Sequence, residues 1–487
     1  MAISRNFSNV ATITDQNQLA SRFTNMINKV NNMINTQGPI YAPWIIFQVG
    51  VNEPIMFNTA TTEMKQNLIA ELSMDKCGAG TVNTFNLTVK YDPFNHGQNP
   101  SDQIEALDDL IGDAMSYDFD DDNTRIRGFI QYGYNYTEDL DMISPKYQFI
   151  LTKATSDIEW SSGMTVYNFE GVSELGTDCN FQANFDAIEN WNLLELVNWI
   201  LYYYYGDENN PPSRIGKGTA TSGSGLNYKI DIPDKLFEDA PTISEEAQSE
   251  LSPWTYCNNL LQKYVSKSDE SVDMSAVKES ERPRYVMYVT EGDGGPTIHI
   301  NYIRPKDSEM NTKINWDFTW NKTDKNIVQS WNPEVDLYFY LIQKAQLKRE
   351  QSKIDEAMSA ELSRLEEYRA AIDTIPVAGP TLSGKPLTIK NQNADSQVQQ
   401  LKDEIIAKYN EKLKEVTNQA FEMYSATITL IGIPADPPLC AEIRVIPRIL
   451  ESVSRTAGVY MIASCTDNIS TRGVYTTQLK LNRIRSI

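Results

Sequence analysis

Hydrophobic and polar residues alternate along two long stretches of the chain. In residues 147–172 the alternation runs into a turn-prone Trp-Ser-Ser-Gly segment and then resumes. Residues 460–484 repeat this plan, with a strand, a predicted turn region that contains Asp467 and Ile469, then Gly473 and a second strand. Alternation of this kind is typical of β-hairpins. Two similar hairpins predict two similar β domains.

Shorter patterns predict the remaining elements. Alternating segments predict strands at 44–49, 84–91, 125–136, 284–289, 297–303, 426–433 and 442–447. Apolar residues spaced by three and four predict helices at 15–37, 100–115, 184–206 and 252–265. The segment Asn332-Pro333-Glu334 is predicted to open a long charged helix, and a Pro/Gly linker at 375–386 separates it from another. These two predict an antiparallel helical hairpin.

The predicted fold class is α+β and mostly β, with two antiparallel β-barrel or sandwich domains, a helical side domain and an inserted helical hairpin. The predicted boundaries are 1–37 for an N-terminal helical arm, 38–180 for the first β domain, 181–282 for the helical and loop side domain, 283–333 with 422–487 for the second β domain, and 334–421 for the inserted hairpin. The arm could pack on its own domain or on a neighbouring subunit.

Charge, hydropathy and cysteine spacing argue against several classes of function. The chain has 487 residues, and 43 Lys and Arg against 65 Asp and Glu give a net charge of −22. A phosphate-binding surface as the main activity would favour the opposite sign. There is no run of 18 apolar residues and no apolar signal-peptide core, so we expect a protein made in the cytoplasm without a membrane span. The five cysteines lack metal-ligand spacing and predict reduced thiols.

Two motifs could bind ligands, and each has a simpler interpretation. Residues 379–385 fit the first seven positions of a P-loop, but Pro386 stands where a magnesium-binding Ser or Thr is required, and no strand precedes the motif. An acidic loop that could gather calcium lacks the glycine and the late glutamate of an EF-hand. Its carboxylates are Asp118, Asp120, Asp121 and Asp122. Chance and a solvated turn explain these two motifs better.

Catalytic chemistry has little support in the residues. The only histidines, His96 and His299, lie in different β regions, so a Ser-His-Asp arrangement would depend on tertiary contacts alone. Carboxylates are numerous enough to imitate a glycosidase pair, and the aromatic residues could line a glycan groove, but strand aromatics are first of all packing residues. We assign no catalytic, cofactor-binding or metal-binding residue, and we predict that the chain is not an enzyme and needs no cofactor.

Four segments carry a resemblance to a known family. They are RIRGFIQYGYN (125–135), SDIEWSSGMTVYNFEGVSEL (156–175), NIVQSWNPEVDLYFYL (326–341) and GVYMIASCTDNISTRGVYTTQLKLNRI (458–484). In pattern and order they resemble the baseplate hub proteins of tailed phages and related contractile injection systems. That resemblance implies two tail-tube-like β domains per chain and three chains per ring.

The resemblance also implies a function and a set of partners. The expected role is a virion structural protein, a homotrimeric hub that adapts a six-fold tail tube to a three-fold spike and forms part of the genome-ejection channel. Expected partners are other copies of the chain, the tail tube protein, the central spike protein and further baseplate proteins, the last through residues 334–421. An acidic channel wall would then avoid trapping DNA. A tail-associated cell-wall hydrolase and a host-receptor-binding tail protein remain the alternatives.

Overall fold

The computed structural model confirms a mostly β chain built from antiparallel sheets. It describes residues 16–37, 43–50, 52–58, 68–76, 82–91, 101–115, 125–134, 142–178 without 160 and 162, 182–219, 226–270, 282–290, 296–305, 311–320, 327–337, 341–342, 345, 349, 363, 424–449, 452–470 and 473–487. The chain divides into one unit of Met1–Glu334 with Tyr424–Ile487 and a second unit of Val335–Met423. Nearly all of the predicted helical hairpin lies outside the described residues.

Seven strands form what we call the first β repeat. They are β1 (Pro43–Val49), β2 (Ile55–Asn58), β3 (Leu68–Lys76), β4 (Thr84–Tyr91), β5 (Arg127–Tyr134), β6 (Tyr147–Glu159) and β7 (Met164–Val172). In space they follow the order β3-β4-β7-β6-β5-β1-β2, and every neighbouring pair is antiparallel. The predicted hairpin of residues 147–172 is confirmed as β6 and β7.

The remaining helices and short strands lie before, within and between the β repeats. The helices in the first part of the chain are α1 (Gln16–Gln37), α2 (Ser101–Met115) and α3 (Glu174–Asp178). The elements that follow are β8 (Ala183–Phe185), β9 (Ile188–Asn192), α4 (Leu193–Tyr205), β10 (Lys229–Asp231), α5 (Asp234–Asp239), β11 (Thr242–Glu245), β12 (Gln248–Leu251), α6 (Pro253–Lys263), α7 (Lys267–Glu270), β13 (Arg284–Thr290) and β14 (Thr297–Ile303). Strands β13 and β14 form a three-stranded sheet with β10. Among the described helices, none combines the length and apolar character of a membrane span.

The start of α4 corrects one prediction. The sequence predicted a helix from residue 184, but residues 183–192 form two short strands that pair with β12 and β11. The side chain of Asn192 accepts hydrogen bonds from the backbone N–H groups of Leu194 and Glu195, at 3.0 and 3.2 Å. Such a cap satisfies donors that have no partner inside the helix, so the helix begins there.

Seven further strands form the second β repeat. They are β15 (Lys313–Trp320), β16 (Val328–Val335), β17 (Tyr424–Ile431), β18 (Glu442–Ile449), β19 (Ser452–Val453), β20 (Gly458–Ile469) and β21 (Tyr475–Ser486). Their order is β16-β17-β21-β20-β18-β15, with β19 beside β18. The N-terminal helix α1 packs on β15 of its own chain, and Phe23, Ile27 and Val30 join the main core.

The two β repeats share one strand order. Numbered along the chain, the strands β1, β3, β4, β5, β6 and β7 of the first repeat correspond to β15, β16, β17, β18, β20 and β21 of the second. Both sets follow the same spatial path, with the long hairpin in the middle. One pair differs in direction, because β1 is antiparallel to β5 whereas β15 is parallel to β18. The prediction of two similar hairpins is therefore confirmed at the level of topology.

Two further predictions were wrong. Asn332, Pro333 and Glu334 do not open a helix but lie in β16, which ends the strand path among the described residues. Proline is tolerated in such edge strands. Asp467 and Ile469 do not form a turn but lie inside β20, each about 1 % exposed. An acidic residue is typical of turns, but the side chain of Asp467 faces inward, and those of its two polar neighbours in the strand face the other side of the sheet.

Candidate functional site

Strand β20 joins the two β repeats. It pairs with β21 along its length, with β18 through Gly458–Met461 and with β3 through Cys465–Ile469. The strands β18 and β3 therefore occupy successive parts of the same edge of β20. Because β3 belongs to the first repeat, this edge is the joint that makes one 14-stranded sheet from both repeats.

A buried charged cluster lies behind this joint. The ammonium of Lys76 is 2.6 Å from Oδ2 of Asp467 and 3.4 Å from Oδ1 of Asp436, and it donates to the carbonyl of Ala435 at 3.3 Å. The side chains of the lysine and the two aspartates are 6 %, 0 % and 8 % exposed. The ammonium thus has three oxygen neighbours, two of them carboxylates, and a buried charge requires such partners.

Hydroxyl groups donate further hydrogen bonds to the two carboxylates. Asp467 accepts from Tyr132 at 2.7 Å, from Thr477 at 2.6 Å and from Tyr475 at 3.1 Å. Asp436 accepts from Tyr147 at 2.5 Å. Lys76, Tyr132 and Tyr147 belong to the first repeat, and both aspartates, Tyr475 and Thr477 belong to the second. The cluster therefore connects the two repeats through side chains, in addition to the backbone hydrogen bonds of the joint.

Burial and neighbouring charges raise the pKa values of the lysine and the tyrosines in the cluster. Burial alone would lower the pKa of Lys76, but the neighbouring carboxylates of Asp467 and Asp436 outweigh it and raise that pKa above its ordinary value. Burial, followed by the same carboxylates, raises the pKa of the Tyr132 and Tyr147 phenols well above 10. The lysine is therefore charged and the tyrosines are neutral at physiological pH, so the ion pairs and the hydrogen bonds of the cluster persist and stabilise the joint.

A small cavity adjoins the cluster. It has a volume of about 10 Å³ and is lined by Lys76, Asn83, Val289, Thr290, Asp436, Pro437 and Leu439. The second oxygen of Asp436, Oδ2, has no hydrogen-bond partner among the described residues. Such a volume suits about one water molecule and is too small for an organic substrate. Within the described part of the chain, no group of three His, Cys, Asp or Glu residues could hold a metal ion.

His299 does meet a hydroxyl and a carboxylate. Its Nε2 lies 2.7 Å from Oγ1 of Thr290, and its Nδ1 lies 2.9 Å from Oδ2 of Asp231. This is the hydrogen-bond order of a hydrolytic triad. His299 is fully buried, however, and Thr290 is 6 % exposed beside the one-water cavity. This leaves little room for a scissile carbonyl beside the hydroxyl, and the three hydrogen-bonded residues connect β10, β13 and β14.

The sheet presents a polar face on the side opposite the core. We define the polar face as the half-buried and exposed residues Glu71, Ser73, Asp75, Thr84, Asn86, Thr88, Lys90, Lys153, Thr155, Asp157, Asn168, Glu170, Ser425, Thr427, Thr429, Ser464, Thr466, Asn468, Thr476, Gln478 and Lys480. Cross-strand neighbours make it continuous through the joint, where Asn468 lies opposite Ser73. These residues include four acidic and three basic side chains, and Glu159 at the closed end of β6 adds a fifth carboxylate on the same side, so the formal charge is −2, against −22 for the chain.

Local pairs neutralise most of these charges. Lys153 lies 2.8 Å from Glu170, and Lys90 lies 3.5 Å from Glu71. Oγ1 of Thr466 donates to Asp75 at 2.8 Å across the joint. The polar face is therefore rich in hydroxyl and amide groups and nearly neutral, and it is not acidic.

The other residues considered in the sequence have separate positions. His96, the aspartates of 118–122 and the P-loop-like segment 379–385 lie outside the described residues. Of the cysteines, Cys257 and Cys465 are buried thiols and Cys440 is partly buried.

Sequence reasoning missed the residues of the charged cluster. A signal did exist. Asp467 belongs to the same inward-facing series as Cys465 and Ile469, and Lys76 continues the inward-facing series of Leu72 and Met74. A charged residue at an inward strand position is rarely buried without a partner. What the sequence does not reveal is that the two series meet.

Three solved structures cover most of this chain. A tail protein from Neisseria meningitidis MC58 is 9 % identical, with 91 % of this chain and 97 % of that chain covered and a TM-score of 0.42. The 43 kDa tail protein of prophage MuSo2 from Shewanella oneidensis is 9 % identical, with 91 % and 98 % covered and a TM-score of 0.41.

The third structure is the c3393 protein of E. coli, described as a component of the type VI secretion system with structural similarity to the T4 bacteriophage tail proteins gp27 and gp5. It is 7 % identical, with 90 % of this chain and 76 % of that chain covered and a TM-score of 0.40. No family model and no curated protein matches the chain. Two of these neighbours are tail proteins and the third is a secretion-system component with similarity to tail proteins; the function proposed below rests on this chain's own residues.

Proposed function

We propose that the chain is a structural baseplate hub of a phage tail, a homotrimeric ring that adapts the six-fold tail tube to a three-fold spike and forms part of the ejection channel. The observation that carries this proposal is the strand order repeated in the two β repeats. Three chains with two equivalent repeats each present six similar units around one axis. A ring of this kind has three-fold symmetry and approximates six-fold symmetry.

The joint and the polar face support this role. Residues Cys465–Ile469 hold the repeats side by side in one sheet, and the buried cluster around Lys76 fixes that arrangement. The polar face runs over both repeats without interruption. As a channel wall it would offer DNA neither a basic surface that retains phosphates nor a strongly acidic one. The acidic wall expected from the net charge is therefore not part of the proposal.

The role is structural rather than enzymatic. The charged cluster is buried, and the hydrogen-bonded chain of Thr290, His299 and Asp231 adjoins space for about one water molecule. Neither arrangement favours the alternative of a cell-wall hydrolase. The proposed location is the tail baseplate of the virion, with the tail tube and the central spike as axial partners and other baseplate proteins docking through residues 334–421.

The solution mass of the full chain, measured by light scattering together with negative-stain images, tests the ring. We expect three chains in a ring with a central opening, and a variant that lacks residues 340–418 behind a short linker should keep the ring but abolish tail assembly. A monomer at micromolar concentration would contradict the proposal. Normal tail assembly by the deletion variant would contradict the docking role of residues 334–421.

A further inference from the structure

Three neighbouring strands carry a hydrogen-bonded chain across one sheet. In the parallel pair of β10 and β14, Asp231 lies beside His299, and its Oδ2 is 2.9 Å from Nδ1 of the ring. In the antiparallel pair of β13 and β14, Thr290 is a diagonal neighbour of His299, and its Oγ1 is 2.7 Å from Nε2. The side chain of Asp231 is 29 % exposed, whereas Thr290 is the buried end of the chain.

The buried end of this chain reaches the cavity beside the charged cluster. Thr290 and Asp436 both line this cavity of about 10 Å³, together with Lys76. Oδ1 of Asp436 already accepts from Tyr147 at 2.5 Å and lies 3.4 Å from the ammonium of Lys76. Oδ2 of Asp436 has no partner among the described residues. The cavity thus separates two buried hydrogen-bonded networks, and one of them contains a polar atom without a partner.

The walls of the cavity select what can occupy it. A buried carboxylate oxygen without a hydrogen bond is costly, so the occupant has to supply a donor. The ammonium of Lys76 repels a cation, and the carboxylate of Asp436 repels an anion. The volume admits a molecule of the size of water and nothing larger. A neutral donor of this size is water.

We propose that one ordered water molecule occupies this cavity, donates a hydrogen bond to Oδ2 of Asp436 and bonds to Oγ1 of Thr290. The water joins the charged cluster to the chain of Thr290, His299 and Asp231, in one network that runs from β10 to the joint between the β repeats. The three-stranded sheet and the joint are thereby coupled through side chains. The inference does not depend on the proposed ring, because every group in the network belongs to a single chain.

The hydrogens of this network are consistent in both charge states of His299. A carboxylate only accepts, so Nδ1 carries a hydrogen towards Asp231. In a neutral ring Nε2 accepts from the hydroxyl of Thr290, and the water donates one hydrogen to Thr290 and the other to Asp436. In a charged ring Nε2 donates to Thr290, whose hydroxyl turns to the water, and the water still donates to Asp436. The bridge therefore satisfies Asp436 in either state of the ring.

Crystal structures of the full chain at a resolution that shows ordered water test the bridge directly. We expect a single peak in the cavity, at hydrogen-bond distance from Oδ2 of Asp436 and from Oγ1 of Thr290. The peak should disappear in Thr290→Val, which keeps the shape of the side chain but has no hydroxyl, and it should remain in Thr290→Ser. These two variants separate loss of the hydroxyl from a change in packing.

A double-mutant cycle measures the coupling in solution. Thr290→Val and Asp436→Asn should each raise the unfolding equilibrium constant, measured by urea denaturation. Together they should raise it by at least about threefold less than the product of the two separate effects, since residues that share a network do not act independently. The loss of the bond between Thr290 and His299 cancels in the cycle, because it occurs with either residue at position 436.

Two controls use the same change at position 436. The combination of Thr290→Ser with Asp436→Asn keeps the hydroxyl, so the two effects should simply multiply. The same should hold for Thr88→Val with Asp436→Asn, because Oγ1 of Thr88 donates directly to Asn168, at 2.9 Å and away from the cavity.

The outcomes are distinct. A bridging peak that is lost in Thr290→Val, with effects in the cycle that do not multiply, supports the inference. An empty cavity, a peak within reach of only one of the two side chains, or effects that multiply overturns it. None of these results changes the standing of the ring, which the light-scattering experiment tests separately.

Discussion

The two β repeats follow the same strand path, and they differ most where their long hairpins meet other strands. The second half of β20 is covered by β3, and an inward aspartate there is held by Lys76. The second half of β6 has no such cover among the described residues, and its residues are mostly exposed. The comparison teaches that the same strand path can carry a hairpin covered by a strand of the other repeat and a hairpin whose second half has no covering strand among the described residues.

Further differences lie away from the central strands. The second repeat has residues 336–423 between β16 and β17, where the first has only 77–83 between β3 and β4. The pair β15 and β18 is parallel, whereas β1 and β5 are antiparallel. The four strands around each long hairpin keep both order and direction. Among the described residues, these differences therefore lie in the connections and the outer strands, whereas the four central strands match.

Removing the buried lysine should have the largest effect on the joint. Lys76→Met leaves Asp436 and Asp467 buried without their cation, and breaking a buried ion pair typically costs about 3–5 kcal/mol. We expect a loss of this size in the free energy of unfolding, measured by urea denaturation. The change removes a feature that the first hairpin lacks, so it tests what makes the two repeats different.

A second lysine provides the control for this prediction. Lys90 lies 3.5 Å from Glu71 on the polar face, and both side chains are more than a third exposed. Lys90→Met should cost less than about 1 kcal/mol, because exposed pairs are screened by solvent. Equal losses for the two variants would show that the cluster does not hold the joint.

Alkaline pH should weaken the same joint by a smaller amount. Burial and Asp467 raise the pKa of Tyr132 and Tyr475 above 10, and the carboxylates raise the pKa of Lys76. In the unfolded chain these groups lose protons near pH 10, so the unfolded state binds fewer protons there and stability falls as pH rises.

The expected profile is flat from about pH 7 to 9 and falls above about pH 10, by about 1.4 kcal/mol per pH unit for each proton released. Urea denaturation at stepped pH measures it. Tyr475→Phe should reduce the slope by about one proton, since phenylalanine does not titrate. A stability that is constant up to pH 11 would contradict the protonation states given above.

The smallest effect on the folded monomer should come from the uncovered second half of β6. Ile158 is 55 % exposed, so Ile158→Lys should change the free energy of unfolding of the monomer by no more than about 0.5 kcal/mol. It should nevertheless weaken assembly of the proposed ring, because it replaces an apolar side chain by a charge on an edge of β6 that no described strand covers. Met115→Lys is the control, since Met115 is 82 % exposed on α2. Light scattering of both variants decides, and loss of the ring in both would point to a general effect of charge.

The sequence predicts much of the fold because hydrophobic spacing reports local structure. The strand 84–91, the helices α1 and α2 and both long hairpins follow from their periodicity. The wrong predictions have physical causes. Asp467 was predicted in a turn, but the buried cation of Lys76 allows it to lie inside a strand. Pro333 was predicted at a helix start, but proline is also tolerated at a sheet edge.

The candidate site was harder to predict. Its cation and its carboxylates come from strands far apart in the chain, and Asp75 and Thr466, which bond across the joint, are 391 positions apart. Periodicity within a segment cannot show which segments become neighbours. Only the repetition of the hairpins indicated that a second domain existed for the first to contact.

That separation of 391 positions also determines how late the newly made chain can form the contacts of the joint. The first β repeat leaves the ribosome long before β20 exists, because β20 begins at residue 458. Until synthesis nears its end, the edge of β3 and the ammonium of Lys76 have no intramolecular partner at the joint. Contacts at such separation close slowly, and unpaired strand edges favour aggregation meanwhile. Fast translation without chaperones should therefore reduce the soluble yield more than the final stability would suggest.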